Sequence, residues 1–322
     1  MKAVYLRIVF VFTDLVLPLV VGYVCKQKGW LGTQACNILI KLNIVFLCTL
    51  LSFFSFWVLP LSWQLLWLPL LGILFTVVPG FLGWLIFSRR FTNYLEKGSY
   101  VVSCLLSNIG TLGGLCAFIL YGEVAYAYVQ LIATLQNMLL VILCFPIAQY
   151  YAAKQTAKLA KTTLHLSFKE MFLTWNQVPV LGMVAGILLQ LGGVTRPQSL
   201  EFVFKNLVHI GAWIALLPVG YLVDFGRAKE YYHRVLDMLL LRFVIVPSLF
   251  YIFMKNLFTD QILLGTLLIV SAAPAAINSV LTAKLYELQV DLSIASFLLT
   301  TAVYVLVLFP AFFFYVAGGG SF

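Results

Sequence analysis

The chain has 322 residues, of which 63% are hydrophobic and 10% are charged, with a net charge of +9 and a mean hydropathy of +1.03. Soluble domains carry about 25% charged residues, and a soluble fold of this length cannot bury so much apolar surface. The composition therefore excludes an ordinary water-soluble protein and predicts one that is embedded in a lipid bilayer.

Ten apolar runs follow one another along the chain, and each is long enough to cross a bilayer as a helix. The first run contains Asp14 and Pro18 and lacks a small-residue cleavage site, so it predicts a retained helix and not a signal peptide. The runs are too long and too continuously apolar for the strands of a membrane barrel. We therefore predict an all-α polytopic membrane protein with ten transmembrane helices. Their approximate limits are 8–25, 38–58, 64–87, 100–121, 124–150, 172–192, 203–224, 234–255, 262–285 and 293–317.

The positive charges are distributed unequally between the two sides of this array. Alternate loops on one side hold fourteen of the twenty Lys and Arg residues, whereas the other side holds five and Arg242 lies within a span. Because Lys and Arg are concentrated in cytoplasmic loops, this bias predicts that both termini lie outside the cell. Membrane topology thus explains the net charge, and no nucleic acid partner is expected.

The longest loop, residues 151–171, is basic and separates two groups of five predicted helices, residues 1–150 and 172–322. An odd number of helices in each half forces the second half to insert upside down relative to the first, which predicts a 5+5 inverted repeat. We interpret the loop as an orientation signal that lies on anionic lipid. A regulatory site in this loop is the alternative.

The fourth and ninth predicted helices hold corresponding places in the two halves, and both contain helix-breaking residues at their centres. Glycine and proline weaken a helix by about 1 and 3 kcal/mol, and Pro274 lacks the N–H that a regular helix requires. Unwound backbone is therefore predicted in both helices. The two segments read Ser107-Asn108-Ile109-Gly110-Thr111-Leu112-Gly113 and Ala273-Pro274-Ala275-Ala276-Ile277-Asn278-Ser279.

A helix that is broken within the bilayer exposes unpaired N–H groups and a positive dipole end, which attract an anion such as a carboxylate. Matching breaks in two halves are typical of the substrate sites of transporters. The alternative is that the small residues only allow the helices to pack closely. The candidate substrate-binding residues are Ser107, Asn108, Gly110, Gly113, Pro274, Asn278 and Ser279.

At these two breaks the sequence resembles the auxin efflux carrier family, within the wider group of bile-acid-transporter-like folds. The strongest similarity covers residues 272–286, a second covers residues 108–113, and weaker similarities extend over nearly the whole chain. The short central loop resembles that of bacterial and other short-loop members, so a bacterial inner membrane is the expected location.

The resemblance implies that helices four and nine are broken and cross each other. It implies a transport domain of helices three to five and eight to ten, which moves against a scaffold of helices one, two, six and seven. It suggests a small organic anion, such as a carboxylate, as the substrate of this elevator-type alternating access. A homodimer through the scaffold helices stays open.

Polar and charged residues within predicted spans are candidates for a coupling-ion or charge site, because such residues are costly in lipid. Asp14 is interpreted either as a cation or proton site or as a residue near the outer interface. Arg242 either extends towards the cytoplasm or binds substrate charge. Asp237 and Asn137 complete this set, and both proton and sodium coupling stay open.

The leading hypothesis is thus a secondary transporter of a small organic anion. A membrane receptor or sensor without transport is the alternative. An enzyme is not expected, because no nucleophile–base constellation stands out in the sequence. The three histidines are scattered without metal-ligand spacing, so no metal or other cofactor is expected either.

Overall fold

The computed structural model describes residue 9 and residues 11–59, 63–155, 178–222, 229–318 and 320. Helices account for most of these residues, and we number them in chain order, with a and b for the two parts of an interrupted helix. They are α1 (11–28), α2 (Thr33–Trp57), α3 (Trp67–Arg90), α4a (Tyr94–Leu105), α4b (Ile109–Tyr121), α5a (Glu123–Ala133), α5b (136–155), α6 (Val178–Leu191), α7 (Ser199–Leu222), α8 (Asp237–Lys255), α9a (Gln261–Ser271), α9b (Ile277–Leu285) and α10 (290–317).

Five helices in the described part of the chain are long and apolar enough to cross a membrane. They are α2, α3, α7 as far as Pro218, α8 and α10 as far as Val316. Because helices satisfy their own backbone hydrogen bonds, this composition and secondary structure fit a lipid environment. The expectation of an all-helical, polytopic membrane protein is confirmed to this extent.

The helix limits differ from the predicted apolar runs at several places; α2, for example, begins at Thr33, five residues before the predicted limit. Helix α4a begins at Tyr94, six residues before the predicted limit, because Asn93 caps it by accepting a hydrogen bond from the Leu95 N–H (2.9 Å). The first turn of α4a is polar, so a search for apolar runs does not include it. The fifth run is interrupted after Ala133, a break that we did not predict. The predicted loop at 151–171 begins inside α5b, and its residues from 156 onward lie outside the described residues.

The described helices pack in two groups. Helix α7 packs against α1 and α2, and α6 packs along α2, so that these four helices form a first group. The contact between α6 and α2 is close because Gly182 and Gly186 lie against the backbone carbonyls of Thr49 and Phe53. Small residues allow helices to approach in this way in lipid.

The second group consists of α3, α4, α5, α8, α9 and α10, which share a continuous apolar core. Within it, the rings of Phe75 in α3 and Phe250 in α8 meet edge to face, with centroids 4.5 Å apart. Helix α4a contacts α3, α5b, α9b and α10. The broken helices therefore lie within the second group, and α4b faces the first group across a cleft.

Candidate substrate site at the helix crossing

The breaks in α4 and α9 meet directly. The N–H of Asn108 donates to the carbonyl of Pro274 (2.8 Å), and the N–H of Ala276 donates to the carbonyl of Leu106 (2.9 Å). These bonds form an antiparallel bridge between Ser107 and Ala275. Each unwound segment therefore supplies hydrogen-bond partners that the other has lost by leaving the helix. The two breaks thus meet backbone to backbone at one place.

Asn108 begins the second half of the first broken helix. Its side-chain oxygen accepts hydrogen bonds from the N–H of Leu112 (3.4 Å) and from the hydroxyl of Thr111. This capping uses the oxygen and orients the amide group. The side chain is buried, and its nitrogen has no hydrogen-bond partner among the described residues. This nitrogen is therefore available to donate a hydrogen bond to an acceptor on a ligand.

Helix α5 holds the first break from the side. Gln136 donates a side-chain hydrogen bond to the carbonyl of Ser107 (2.6 Å), and Gln130 donates one to the carbonyl of Gly110 (3.2 Å). Gly113 donates its N–H to the carbonyl of Asn108 (3.1 Å). The polar side chains of α5 thus satisfy carbonyls that the break leaves unpaired.

The second break is held by its own helix and by α10. The Ala275 N–H donates to the hydroxyl of Thr300 (3.0 Å), and the Ser279 hydroxyl donates to the carbonyl of Ala276 (2.7 Å). Asn278 lies in the first turn of α9b and is partly exposed, and its side chain has no hydrogen-bond partner among the described residues. Pro274 is buried at the crossing itself.

A narrow cleft with a cavity volume of about 30 Å³ lies between the two groups, beside the start of α4b. Its walls are mostly apolar, and among their few polar side chains is Asn43, which is 6% exposed. Asn43 has no side-chain hydrogen bond within the described part of the chain. Gly110 is the one predicted site residue on this wall. The lining comprises Asn43, Cys48, Leu51, Gly110, Thr111, Leu112, Leu115, Tyr126, Val208, Gly211, Ala212, Ala215 and Leu216.

Arg242 lies at the opposite face of the crossing, where α4a and α9a end. Its side chain is 1% exposed and donates hydrogen bonds to Ser107 and to backbone carbonyls of both broken helices. The interpretation that Arg242 extends towards the cytoplasm is therefore wrong, because the guanidinium is held inside the protein. Its neighbours are protein oxygens, and it does not line the cleft.

The other candidate charges lie away from the crossing. Asp14 is buried between α1 and α7, where it pairs with His209. Asp237 begins α8 and forms an ion pair with Arg90 (2.6 Å). Asn137 lies in α5b, and its side chain is outside what the structure describes. The structure thus brings Ser107, Asn108 and Pro274 together at one place and keeps the candidate carboxylates at others.

Two polar features were not predicted, one at the cleft and one away from it. Asn43 is one of several polar residues within the apolar run of α2, with Lys41, Thr49 and Ser52 in the same run, so the sequence offers no specific signal for it. The bidentate pair of Arg196 and Glu123 joins the segment before α7 to the start of α5a. It brings together residues 73 positions apart, so no local pattern could indicate it.

A family profile described as "membrane transport protein" matches residues 8–313 of the chain. With the helical fold and the crossing of two broken helices, this match defines a membrane transport protein. The chain belongs to the auxin efflux carrier family, as the resemblance at the two breaks indicates. This is a family of transporters and not of enzymes. No individual curated protein gives a significant match.

Proposed function

We propose that the protein is a secondary carrier of a small organic anion, with a carboxylate as the group that it recognises. The observation that carries this proposal is the start of α4b at the cleft. There the first turn of α4b, with Gly110 and Thr111, and the unpaired amide of Asn43 line a mostly apolar cavity. Asn108 caps this turn but is not itself part of the lining. Helix N-terminal N–H groups and side-chain amides donate to carboxylate oxygens, and the apolar walls suit a hydrocarbon or aromatic substituent.

The charge at the crossing favours a monovalent substrate. Each helix N-terminus carries about +0.5 elementary charge, and both α4b and α9b begin at the crossing. Together they offer about one positive charge, which one carboxylate would balance. A second carboxylate would find no matching charge in the cleft, because no Lys or Arg is among its lining residues.

The two packing groups support elevator-type alternating access. Helices α1, α2, α6 and α7 would form the scaffold, and the group that contains the crossing would form the transport domain. The cleft lies where these groups meet, so sliding of one group against the other would carry a bound anion between the two sides. Dimerisation through the scaffold remains part of this proposal.

A local feature is shared by α5b and α10, which hold corresponding places in the proposed inverted repeat, and it also occurs in α1 and α8. Residues 140–144 of α5b and 304–308 of α10 form wider π-helical turns. Each turn is followed directly by Phe-Pro, at Phe145-Pro146 and Phe309-Pro310. A proline removes one helical hydrogen bond, and a π-turn accommodates that loss. The helix after each break is thus interrupted in the same way in both halves.

The direction of transport depends on the substrate charge. A membrane potential of 100 mV contributes about 2.3 kcal/mol per elementary charge. Export of a monovalent anion from a negative interior would therefore need no coupling ion, whereas import would need protons or sodium. Asp14, which is buried and pairs with the partly exposed His209, is the candidate site for such coupling.

Two substitutions test the site. We expect Asn108→Ala and Asn43→Ala each to weaken carboxylate binding by about 10-fold or more, because a hydrogen bond to a charged group contributes about 1.5–3 kcal/mol. The measurement is flux of labelled monocarboxylates into proteoliposomes, with dissociation constants from thermal shifts. Asn278→Ala tests the second break in the same assay.

Asn256→Ala is the matched control, because that side chain is exposed and bonds only to its own helix at the carbonyl of Ile252 (3.0 Å). Unchanged affinity in the Asn43 and Asn108 variants would exclude this cleft as the binding site. If the purified wild-type protein binds carboxylates but moves none down an imposed gradient, the receptor alternative replaces the carrier proposal.

The expected orientation, with both termini outside the cell, gives a separate test. We expect a cysteine at Gly318 to react in intact cells with a maleimide that cannot cross membranes, and a cysteine at Lys154 to react only after lysis. The reason is the concentration of Lys and Arg on the side of Lys154. Both positions are exposed, so accessibility within the fold does not limit labelling. Protection of Gly318→Cys in intact cells would break the ten-helix count.

A further inference from the structure

The guanidinium of Arg242 is surrounded by oxygen atoms from the two broken helices. Nη2 donates to three carbonyls at 2.7–2.9 Å, and Nη1 donates to one carbonyl at 3.2 Å and to one hydroxyl at 2.6 Å. The side chain is 1% exposed. The five oxygens belong to the carbonyls of Ser103, Cys104, Leu106 and Ala273 and to the hydroxyl of Ser107.

These carbonyls are available because both helices end here. The last four carbonyls of a helix have no partner within it, and α4a ends at Leu105 while α9a ends at Ser271. Each helix C-terminus carries about −0.5 elementary charge, so two of them together carry about −1. The single positive charge of Arg242 balances this sum. No described carboxylate forms an ion pair with Arg242.

An oxygen cage of this kind is suited to a bare cation. In sodium-coupled carriers, unwound carbonyls and the C-terminal ends of half-helices coordinate Na⁺. We propose that Arg242 is a covalently attached cation that occupies, at this crossing, the place of an alkali-metal ion. The protein would then hold its crossing together and bind its substrate without sodium at this position, and a latent cation site would lie beneath the guanidinium.

A direct contact between Arg242 and the substrate fits the geometry less well. Both terminal nitrogens already donate to protein oxygens, and the residue does not line the cleft. The remaining donor, Nε, is buried and has no partner among the described residues. The inference rests on the proposed function in one respect only, which is that the substrate binds in the cleft and not beside Arg242.

The inference is tested by removing the guanidinium through substitution of Arg242 and then adding small cations to the solution. We expect Arg242→Ala to lower the melting temperature of the detergent-purified protein by about 10 °C when the only cation is N-methyl-D-glucamine. Addition of 100 mM NaCl or 20 mM guanidinium chloride should restore at least half of that loss. The same ions should change the melting temperatures of the wild type and of Arg89→Ala, an exposed control, by no more than about 1–2 °C. This is close to the precision of the measurement, about 1 °C.

Arg242→Gln keeps most of the side-chain volume and two N–H donors but removes the charge, and it serves the same measurement if Arg242→Ala does not fold. The inference is overturned if neither variant is stabilised by Na⁺ or guanidinium beyond the wild-type response. Stabilisation by cations needs no substrate, so its outcome is separate from failure of the transport proposal.

Discussion

Replacing Gly186 with leucine is expected to prevent α6 from packing against α2 and to lower the melting temperature by about 10 °C or more. A Cβ atom at Gly186 would overlap the backbone carbonyl of Phe53. Backbone cannot move aside as a side-chain tip can, so the two helices must separate. The loss is read from melting curves and from the monodisperse fraction in size-exclusion chromatography.

Gly32→Leu is the matched control for this substitution. Gly32 precedes α2, has an ordinary extended backbone and would meet nothing within 4 Å of an added Cβ. We expect this variant to keep the wild-type melting temperature within the error of the measurement. If Gly186→Leu melts like Gly32→Leu, the close contact of α6 with α2 is not part of the native packing.

Removing the charge of Glu123 is expected to change the balance between conformational states. Arg196 donates to both carboxylate oxygens of Glu123, to Oε2 at 2.9 Å, and also to the carbonyl of Phe54 (3.1 Å). Both charged side chains are largely buried. Because Arg196 is attached to the first helix group and Glu123 belongs to the second, the proposed sliding must break this pair.

We therefore expect Glu123→Gln to change the population of the conformation in which residues 123 and 196 are in contact by about 10-fold or more. The reason is that a hydrogen bond to a charged group contributes about 1.5–3 kcal/mol. The measurement is the transport rate at saturating substrate, together with hydrogen exchange at the start of α5a. Glu201→Gln is the control, because the Lys205–Glu201 pair is exposed and lies within one helix, where such pairs contribute little.

A charge-exchange variant distinguishes an ion pair that controls the conformational change from one that is only a structural contact. The double variant Arg196→Glu with Glu123→Arg should recover part of the wild-type rate and exchange pattern. Identical kinetics in Glu123→Gln and the wild type would show that the two groups do not separate at this contact during transport.

The sequence predicts the helical class and the two breaks correctly, because both depend on local features. Long apolar runs define helices in lipid, and Pro274 and the glycines after Asn108 prevent a regular hydrogen-bond ladder. The predicted helix limits are wrong where a helix begins with polar residues, as α4a does at Tyr94. The interruption after Ala133 is also missed, since Thr134 and Leu135 carry no Gly or Pro signal.

The site is less predictable because its contacts join distant parts of the chain. The oxygens around Arg242 come from residues between 31 and 139 positions away, and no pattern of spacing indicates that they converge. The choice between a surface arginine and a buried one depends on where the helices end in space. Asn43 is similar, since an asparagine among the other polar residues of an apolar run does not indicate which helix it faces.

The bridge between Ser107 and Ala275 makes the two halves of the molecule structurally interdependent. If one break were repaired into a continuous helix, for example by replacing Pro274, the peptide groups of the other break would lose their partners in a medium that contains no water to replace them. Neither interruption can be lost or shifted along the chain by itself. Any viable change of register in one half must be matched by a compensating change in the other, so the two segments constrain each other's evolution.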